Sequence, residues 1–244
     1  MDTTMARSIA HAAQQMHRPA TVDDTLEVIV RSAVEALPTF DHIGVSTVER
    51  DGRIVTRAST SALVLELDDL QYSLHEGPCV ASMDGDDVVP APRIAGDERW
   101  PRYLPGALAL GLRSQLGVRL HLDDHGTIGG LNLYSTTSDD ISVEDVAVAA
   151  FFATHASLAL GTARQVESLN QAVASRQLIG QAIGILMERY DLPEQAAEAF
   201  LWRTSSHGNT KVRAVATDLV GEVDRRARTT RPRVEQSGRG GSPS

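Results

Sequence analysis

The chain has 244 residues, 42% of them apolar, which is enough for one medium domain and a small one, each with a core of its own. Its one cysteine, Cys79, excludes an intramolecular disulfide and a cysteine-rich zinc site. No run of eighteen apolar residues suggests a membrane span, and the first residues lack the apolar stretch of a signal peptide, so the expected location is cytoplasmic. The net charge of −9 conceals an asymmetry. Residues 1–163 carry 11 basic and 23 acidic side chains, whereas residues 164–244 carry 12 basic and 9 acidic ones. An acidic first part and a basic second part point to different partners. The Arg-rich end accounts for the difference, because the segment before Arg225 is slightly acidic.

In chain order, residues 1–20 are polar with small apolar residues and predict a frayed arm. Thr21 to Leu37 predicts a helix, with Thr21 and Asp24 as capping pair and Val22, Leu26, Ile29, Val30, Ala33 and Leu37 at helical spacing. His42 to Arg50 and Arg53 to Ala58 predict a hairpin closed by Asp51-Gly52 in a type I′ turn. Short helices over Gln71–Met83 and Trp100–Leu110 flank a strand at Val88–Val89. Gln115 to Leu122 and Thr127 to Tyr134 form a second hairpin around Asp123–Gly126. About six strands interrupted by helices predict an α+β domain on an antiparallel sheet.

From Ser142, with Asp145 as its capping partner, helix formers run to Tyr190 without a proline. A continuous helix there would measure ~70 Å. Leu169, Ala172, Arg176, Ile179, Ile183, Leu186 and Tyr190 step by three and four, the spacing of a coiled coil. Two helices broken near Gly161 are the alternative. A second helix starts at Pro193, Ser205 to Asn209 is a loop, and Thr210 caps a third helix reaching about Arg226. From Arg228 onward Arg, Pro, Gly and Ser dominate, which predicts a disordered tail.

No catalytic constellation assembles. Phosphate-binding glycine loops, a nucleophile elbow and HExxH are all missing. His75, Glu76 and Cys79 lie at helical spacing, but a lone cysteine beside Gly77 and Pro78 is better explained by packing. Asp84, Asp86, Asp87 and Asp97 match no cation-binding loop and suit a solvated surface. Gly180 and Gly184, four apart, suggest close packing of helices in a three-helix unit. Arg203, Asn209, Lys211 and Arg213 gather charge and amide hydrogen bonding around one loop and the next helix. That mixture suits single-stranded RNA loops, and equally an ordinary polar junction between helices.

Two linked motifs carry a resemblance. Ser175-Arg176 with Ile179-Gly180-Gln181-Ala182-Ile183-Gly184-Ile185-Leu186-Met187-Glu188-Arg189 resembles the opening of the ANTAR domain. Leu201-x-Arg203-x-Ser205-Ser206-x-x-Asn209-x-Lys211-Val212-Arg213-x-Val215-Ala216 resembles its second signature. The resemblance covers residues 166–224. It implies a three-helix unit, within 166–226, that dimerises through its long first helix. Such a unit binds RNA with two tandem stem-loops and prevents terminator formation. Arg176, Gln181, Arg203, Ser205, Ser206, Asn209, Lys211 and Arg213 are the implied RNA contacts. The chain departs from the family at Ile183, where lysine is common, and at Glu198, where an aromatic is usual.

The first part is similar to the GAF domain through Glu76-Gly77-Pro78-Cys79, Arg99-Trp100-Pro101 and Gly129-Gly130-Leu131-Asn132-Leu133-Tyr134. That resemblance implies a sensor over residues 21–160 with a pocket between the sheet and the connections at 63–110. Cys79, Trp100, Tyr103 and Arg113 are its expected lining. It names no cofactor, since GAF domains bind many small molecules and some bind none. The resulting expectation is a GAF sensor, a coiled-coil linker at 161–175, an ANTAR output and a basic tail at 227–244. The protein would be a homodimeric antitermination regulator without catalysis, membrane contact or bound metal. A DNA-binding regulator, a plain interaction module and a GAF-type redox enzyme are the competing classes. One lysine, Lys211, excludes a phosphoacceptor receiver domain that needs its own lysine.

Overall fold

A computed structural model describes residues 14–16, 21–49, 51–123 and 126–230. The chain forms two compact units, Met1–Glu167 and Ser168–Ser244. In the first, α1 (Val22–Ala36) precedes the strands β1 (His42–Val48) and β2 (Ile54–Ser59). Then come α2 (Ala62–Leu74), α3 (Pro78–Asp84), β3 (Val88–Ala91), a 3-10 turn at Ile94–Gly96, α4 (Tyr103–Ala109), β4 (Ser114–Leu122) and β5 (Gly126–Ser135). The helix α5 (Val143–Tyr190) follows. The second unit adds α6 (Glu194–His207) and α7 (Val212–Thr230).

Five strands form one sheet of order β2-β1-β5-β4-β3, with every pair antiparallel. Their alternation separates two chemistries. Ile43, Leu133 and Leu116 align across β1, β5 and β4, as do Val45, Leu131 and Val118. This apolar face packs under Leu26, Ile29 and Ala33 of α1 and under Val148, Phe152, Ala156 and Leu160 of α5. On the other face Gly44, Asn132 and Gly117 form one row, and Tyr134 and Gln115 pair in the next. Helices α2 to α4 cover this polar, small-residue face. Glycine sets how closely they approach. A Cβ on Gly117 would lie 2.4 Å from the Pro78 carbonyl oxygen, and one on Gly44 would lie 2.5 Å from Val64 Cγ1.

Several sequence expectations change here. Thr21 caps α1 as expected, with its Oγ1 accepting from the Asp24 amide at 3.1 Å. The β1–β2 turn is not the type I′ pair. Gly52 has φ +83° but Asp51 is not in the positive-φ region, and the Gly52 amide donates to the Glu49 carbonyl at 3.0 Å. One left-handed glycine after a turn gives a longer hairpin loop. The expected helix over Gln71–Met83 is two helices. His75 (φ 54°) and Gly77 (φ 130°) leave the right-handed region and end α2, so His75, Glu76 and Cys79 do not share a helical face. The arm at 1–20 lies outside the described residues except for 14–16, where Met16 is buried in the core.

Helix α5 does not break at Gly161. That residue instead makes room for Leu122, whose Cδ1 would lie 2.5 Å from an added Cβ. By length and composition α5 is apolar enough to span a membrane, with mean hydropathy 1.6 over eighteen residues. Half of that window is buried in the fold, where it covers the sheet. In the second unit Ala182, Leu186, Ala197, Leu201 and Ala216 form a core from α5, α6 and α7. Asp191 turns left-handed (φ 51°) to end α5, and Pro193 starts α6. Gly180 and Gly184 are not packing sites within this unit, because no atom lies within 4 Å of a Cβ added at either. Helix α6 runs to His207, past the expected loop start at Ser205. Thr210 does not cap α7. Its hydroxyl donates to the Gly208 carbonyl, and the Lys211 carbonyl receives the Ala214 amide at 2.8 Å. Helix α7 continues to Thr230, beyond the expected tail start at Arg228, and residues 231–244 lie outside the described residues.

The Gly117–Pro78 approach yields a prediction. Gly117→Ala forces backbone against backbone and should destabilise the first unit by about 1–3 kcal/mol. Gly85→Ala, where nothing lies within 4 Å, should leave stability unchanged. Denaturant unfolding of both variants checks this.

Candidate functional site

Between the polar face of the sheet and α2–α4 lies a network of buried polar side chains. Helix α2 turns Asp68, Gln71 and Tyr72 inward on the same side as Val64 and Leu67. Asp68 is 1% exposed. Its carboxylate accepts from Thr56 Oγ1 at 2.6 Å, from Asn132 Nδ2 at 2.8 Å and from the Tyr134 hydroxyl. Asn132 Nδ2 also donates to the Tyr72 hydroxyl at 3.0 Å, and that hydroxyl sits 2.5 Å from Ser46 Oγ. Gln71 Nε2 donates to the Tyr134 hydroxyl, while Gln71 Oε1 accepts from the Cys79 amide and from Gln115 Nε2. Tyr103 completes the chain by donating to Gln115 Oε1 at 2.7 Å. One acceptor, Asn132 Oδ1, is buried without a partner among the described residues.

No cation faces this carboxylate in the hydrogen-bond network. Burial therefore outweighs the hydrogen bonds from Thr56, Tyr134, Asn132 and, at 3.4 Å, Ser46, and pushes Asp68 up from 3.8 to about 6. Burial also raises the hydroxyls of Tyr72, Tyr103 and Tyr134. The Cys79 thiol, fully buried and then further opposed by Asp68, is pushed far above its ordinary value. A thiol so held is not a nucleophile.

Of the four residues expected to line the sensor, the structure brings Cys79 and Tyr103 into the network. Trp100 lies in the adjoining apolar cluster with Ile94 and Leu112. Arg113 is outside it, exposed and paired with Asp139 at 2.6 Å. The sequence reading missed Asp68, Gln71, Tyr72, Ser46, Asn132 and Gln115. Their signal was phase. Asp68, Gln71 and Tyr72 occupy the side of α2 that Val64 and Leu67 mark as inward. Of the four aspartates expected on a solvated surface, Asp87 pairs with Arg119, and Asp97 pairs with Arg99 at 2.6 Å with its side chain only 11% exposed.

The second candidate region is the α6–α7 junction. Arg203, Ser205, Ser206, Asn209, Lys211 and Arg213 fall within the last turn of α6, the connecting turn and the first turn of α7. Ser205 Oγ donates to the Thr210 carbonyl at 2.6 Å and Ser206 Oγ to the Trp202 carbonyl at 3.0 Å, so both hydroxyls shape the junction. Asn209 adopts φ 45°, a left-handed position that asparagine tolerates. Arg176 and Gln181 lie apart from them on α5. Gln181 lines a groove of about 740 Å³ with Gly184, Ile185, Val220 and Val223. Val220 stands seven residues past Arg213, roughly 10 Å along α7. Ile183 packs against the three-helix core, and Glu198 is exposed.

Charge compensation differs between the units. In the first, Arg53, Arg57, Arg93, Arg99, Arg102, Arg113 and Arg119 each face a carboxylate. In the second, Glu222 engages Arg189 and Arg226. Arg176, Arg203, Lys211 and Arg213 are exposed and hold no carboxylate among the described residues.

The Asp68 environment predicts a pH dependence. The folded chain keeps this proton up to about pH 6, whereas an ordinary carboxyl releases it near 3.8. The folded state thus binds more protons in between, and stability falls as pH rises through that window. Asp68→Asn should remove the decline. It should stabilise the protein above pH 7 by up to about 3 kcal/mol and have little effect below pH 4. Unfolding of both proteins across this range checks it, and parallel pH profiles would refute it.

Comparison with known proteins agrees with this architecture. Residues 19–161 match the GAF domain and residues 167–220 match the ANTAR domain. Among curated proteins no relative matches. Among solved structures, the bacteriophytochrome RpBphP3 from R. palustris aligns with TM-score 0.59 at 13% identity over 76% of this chain. The alignment spans 42% of that larger protein. The GAF domain of an Acinetobacter phosphoenolpyruvate-protein phosphotransferase aligns with TM-score 0.53 at 17% identity, over 68% of this chain and 98% of that one. Free methionine-R-sulfoxide reductase from Neisseria meningitidis, solved with its substrate, gives TM-score 0.54 at 14% identity over 68% and 95%. At these identities the likeness is one of fold. The matched domains, the five-stranded antiparallel sheet and the helical C-terminal unit together show that the chain belongs to the GAF family and carries an ANTAR domain, a regulator with a sensor and an ANTAR output.

Proposed function

We propose that this protein is an RNA-binding transcription antitermination regulator acting in the cytoplasm. Its GAF domain senses a small molecule, and its ANTAR domain binds transcripts bearing two tandem stem-loops. The observation that carries this reading is the contrast in charge. The arginines of the sensor are largely neutralised within the fold, whereas Arg176, Arg203, Lys211 and Arg213 are left without an internal counter-charge. Phosphates supply that charge. The N-terminal amides of α7 beside Lys211 and Arg213 add to the attraction.

The sensed molecule belongs in the interior around Asp68, where a buried carboxylate and the unpartnered Asn132 Oδ1 favour a ligand that donates hydrogen bonds. Catalysis by Cys79 is disfavoured by its complete burial and raised thiol. A homodimer is supported by Leu169 and Val173, which are 59% and 64% exposed and lie four residues apart on α5. A second copy of the helix would cover them in a coiled coil. Duplex DNA is a poorer partner, because the first two turns of α7 offer few charged side chains to read base edges, Arg213 and Asp218, with Lys211 just before them.

Fluorescence anisotropy with a labelled two-stem-loop RNA and with duplex DNA of equal length tests the reading. We expect preference for RNA and affinity that falls with salt. Arg203→Ala and Lys211→Ala should each weaken binding about tenfold and lower the log–log salt slope by roughly 0.7–0.9. Equal binding to both nucleic acids, or variants that keep the wild-type slope, would contradict it.

A further inference from the structure

The ANTAR unit exposes an aromatic pair that its core does not use. Tyr190, the last residue of α5, is 52% exposed, and Phe200 of α6 is 38% exposed. Their ring centroids lie 5.7 Å apart with planes tilted by 33°. The core beside them is built instead from Leu186, Ala197 and Leu201. The Tyr190 hydroxyl has no hydrogen-bond partner among the described residues. Large rings left in water, beside a core that could have taken them, mark a surface for a partner.

Helical phase says which partner. At about 100° per residue, Arg203 lies roughly 60° around α6 from Phe200 and one turn further along it. Ala197 and Leu201 turn away into the core, and Trp202 falls about 200° from Phe200, on the opposite flank. Phe200 therefore shares a flank of α6 with Arg203, which is exposed and holds no carboxylate among the described residues. An aromatic face next to an uncompensated cation matches an unstacked nucleotide, with the base on the ring and the phosphate on the arginine.

We propose that Tyr190 and Phe200 form a stacking platform for unpaired loop bases of the bound RNA, with Arg203 engaging the adjoining phosphate. This rests on the RNA-binding reading above and adds to it the residues that distinguish looped-out bases from a paired stem.

The test uses the full-length chain and two RNAs of identical stems, one with natural loop nucleotides and one with abasic loop positions. Phe200→Leu and Tyr190→Leu keep apolar volume and remove the ring, and Phe200→Tyr keeps the ring. Circular dichroism and melting temperature confirm folding. Wild type should bind the abasic RNA about tenfold more weakly than the intact one. Each leucine variant should lose about tenfold on intact RNA and nothing further on abasic RNA, with an unchanged salt slope. Phe200→Tyr should bind as wild type. Leucine variants that bind intact RNA like wild type, or a wild type indifferent to the loop bases, would overturn the platform while leaving RNA binding in place. A wild type that binds neither RNA would overturn the RNA reading itself.

Discussion

The structure depends on one helix serving two cores. The first part of α5 places Val148, Phe152, Ala156 and Leu160 on the apolar face of the sensor sheet, and its last part places Ala182 and Leu186 among α6 and α7. Neither unit can bury its apolar surface without it. The antiparallel sheet needs a cover on that face, and among the described residues α6 and α7 alone offer only Ala197, Leu201 and Ala216 as fully buried apolar residues. A glycine inside such a helix weakens it, yet Gly161 is retained where the Leu122 side chain presses against the backbone.

The opposite face of the sheet is a second constraint. Gly44, Asn132 and Gly117 share one row of the three central strands. The glycines draw α2 and α3 down onto the sheet, and the helices bring Asp68, Gln71, Tyr72 and Cys79 against Asn132 and Tyr134. A carboxylate in this setting is expensive to ionise, and its hydrogen bonds only partly offset the lost hydration. Such a site is poised to respond to any ligand that brings donors to it, since that ligand would favour the arrangement in which its donors meet Asp68 and Asn132. The output unit is poised differently, through cations that the fold leaves without counter-charge.

Much of this was legible in the residues. The capping pair at Thr21, the hairpin strands, the uninterrupted run from Ser142 to Tyr190 and the two linked motifs each carried a local physical signal. What stayed hidden needed tertiary information. The break at His75–Gly77 was masked because helix formers lie on both sides of it, and the left-handed turn is a property of the fold around Gln71. Arg113 looked like a pocket residue until Asp139, 26 positions away, was seen to hold it at the surface. The polar interior was missed for a similar reason. Asp68 looks like surface unless the phase set by Val64 and Leu67 is carried through it. Ser205 and Ser206 illustrate the reverse, since motif residues expected to meet RNA also have hydrogen bonds to make within the junction.

Because α5 contributes to both cores, we infer that the sensor controls the output through the rotational phase of this helix. The most direct test is insertion after Val166, comparing two added alanines with seven, in binding of the two-stem-loop RNA by the full-length protein. Two residues turn the following helix by about 200°, whereas seven return it to within about 20° of its original phase. The account predicts that the two-residue insertion loses at least tenfold in affinity and the seven-residue insertion keeps most of it. Equal, wild-type affinity in both insertions would contradict coupling through the helix.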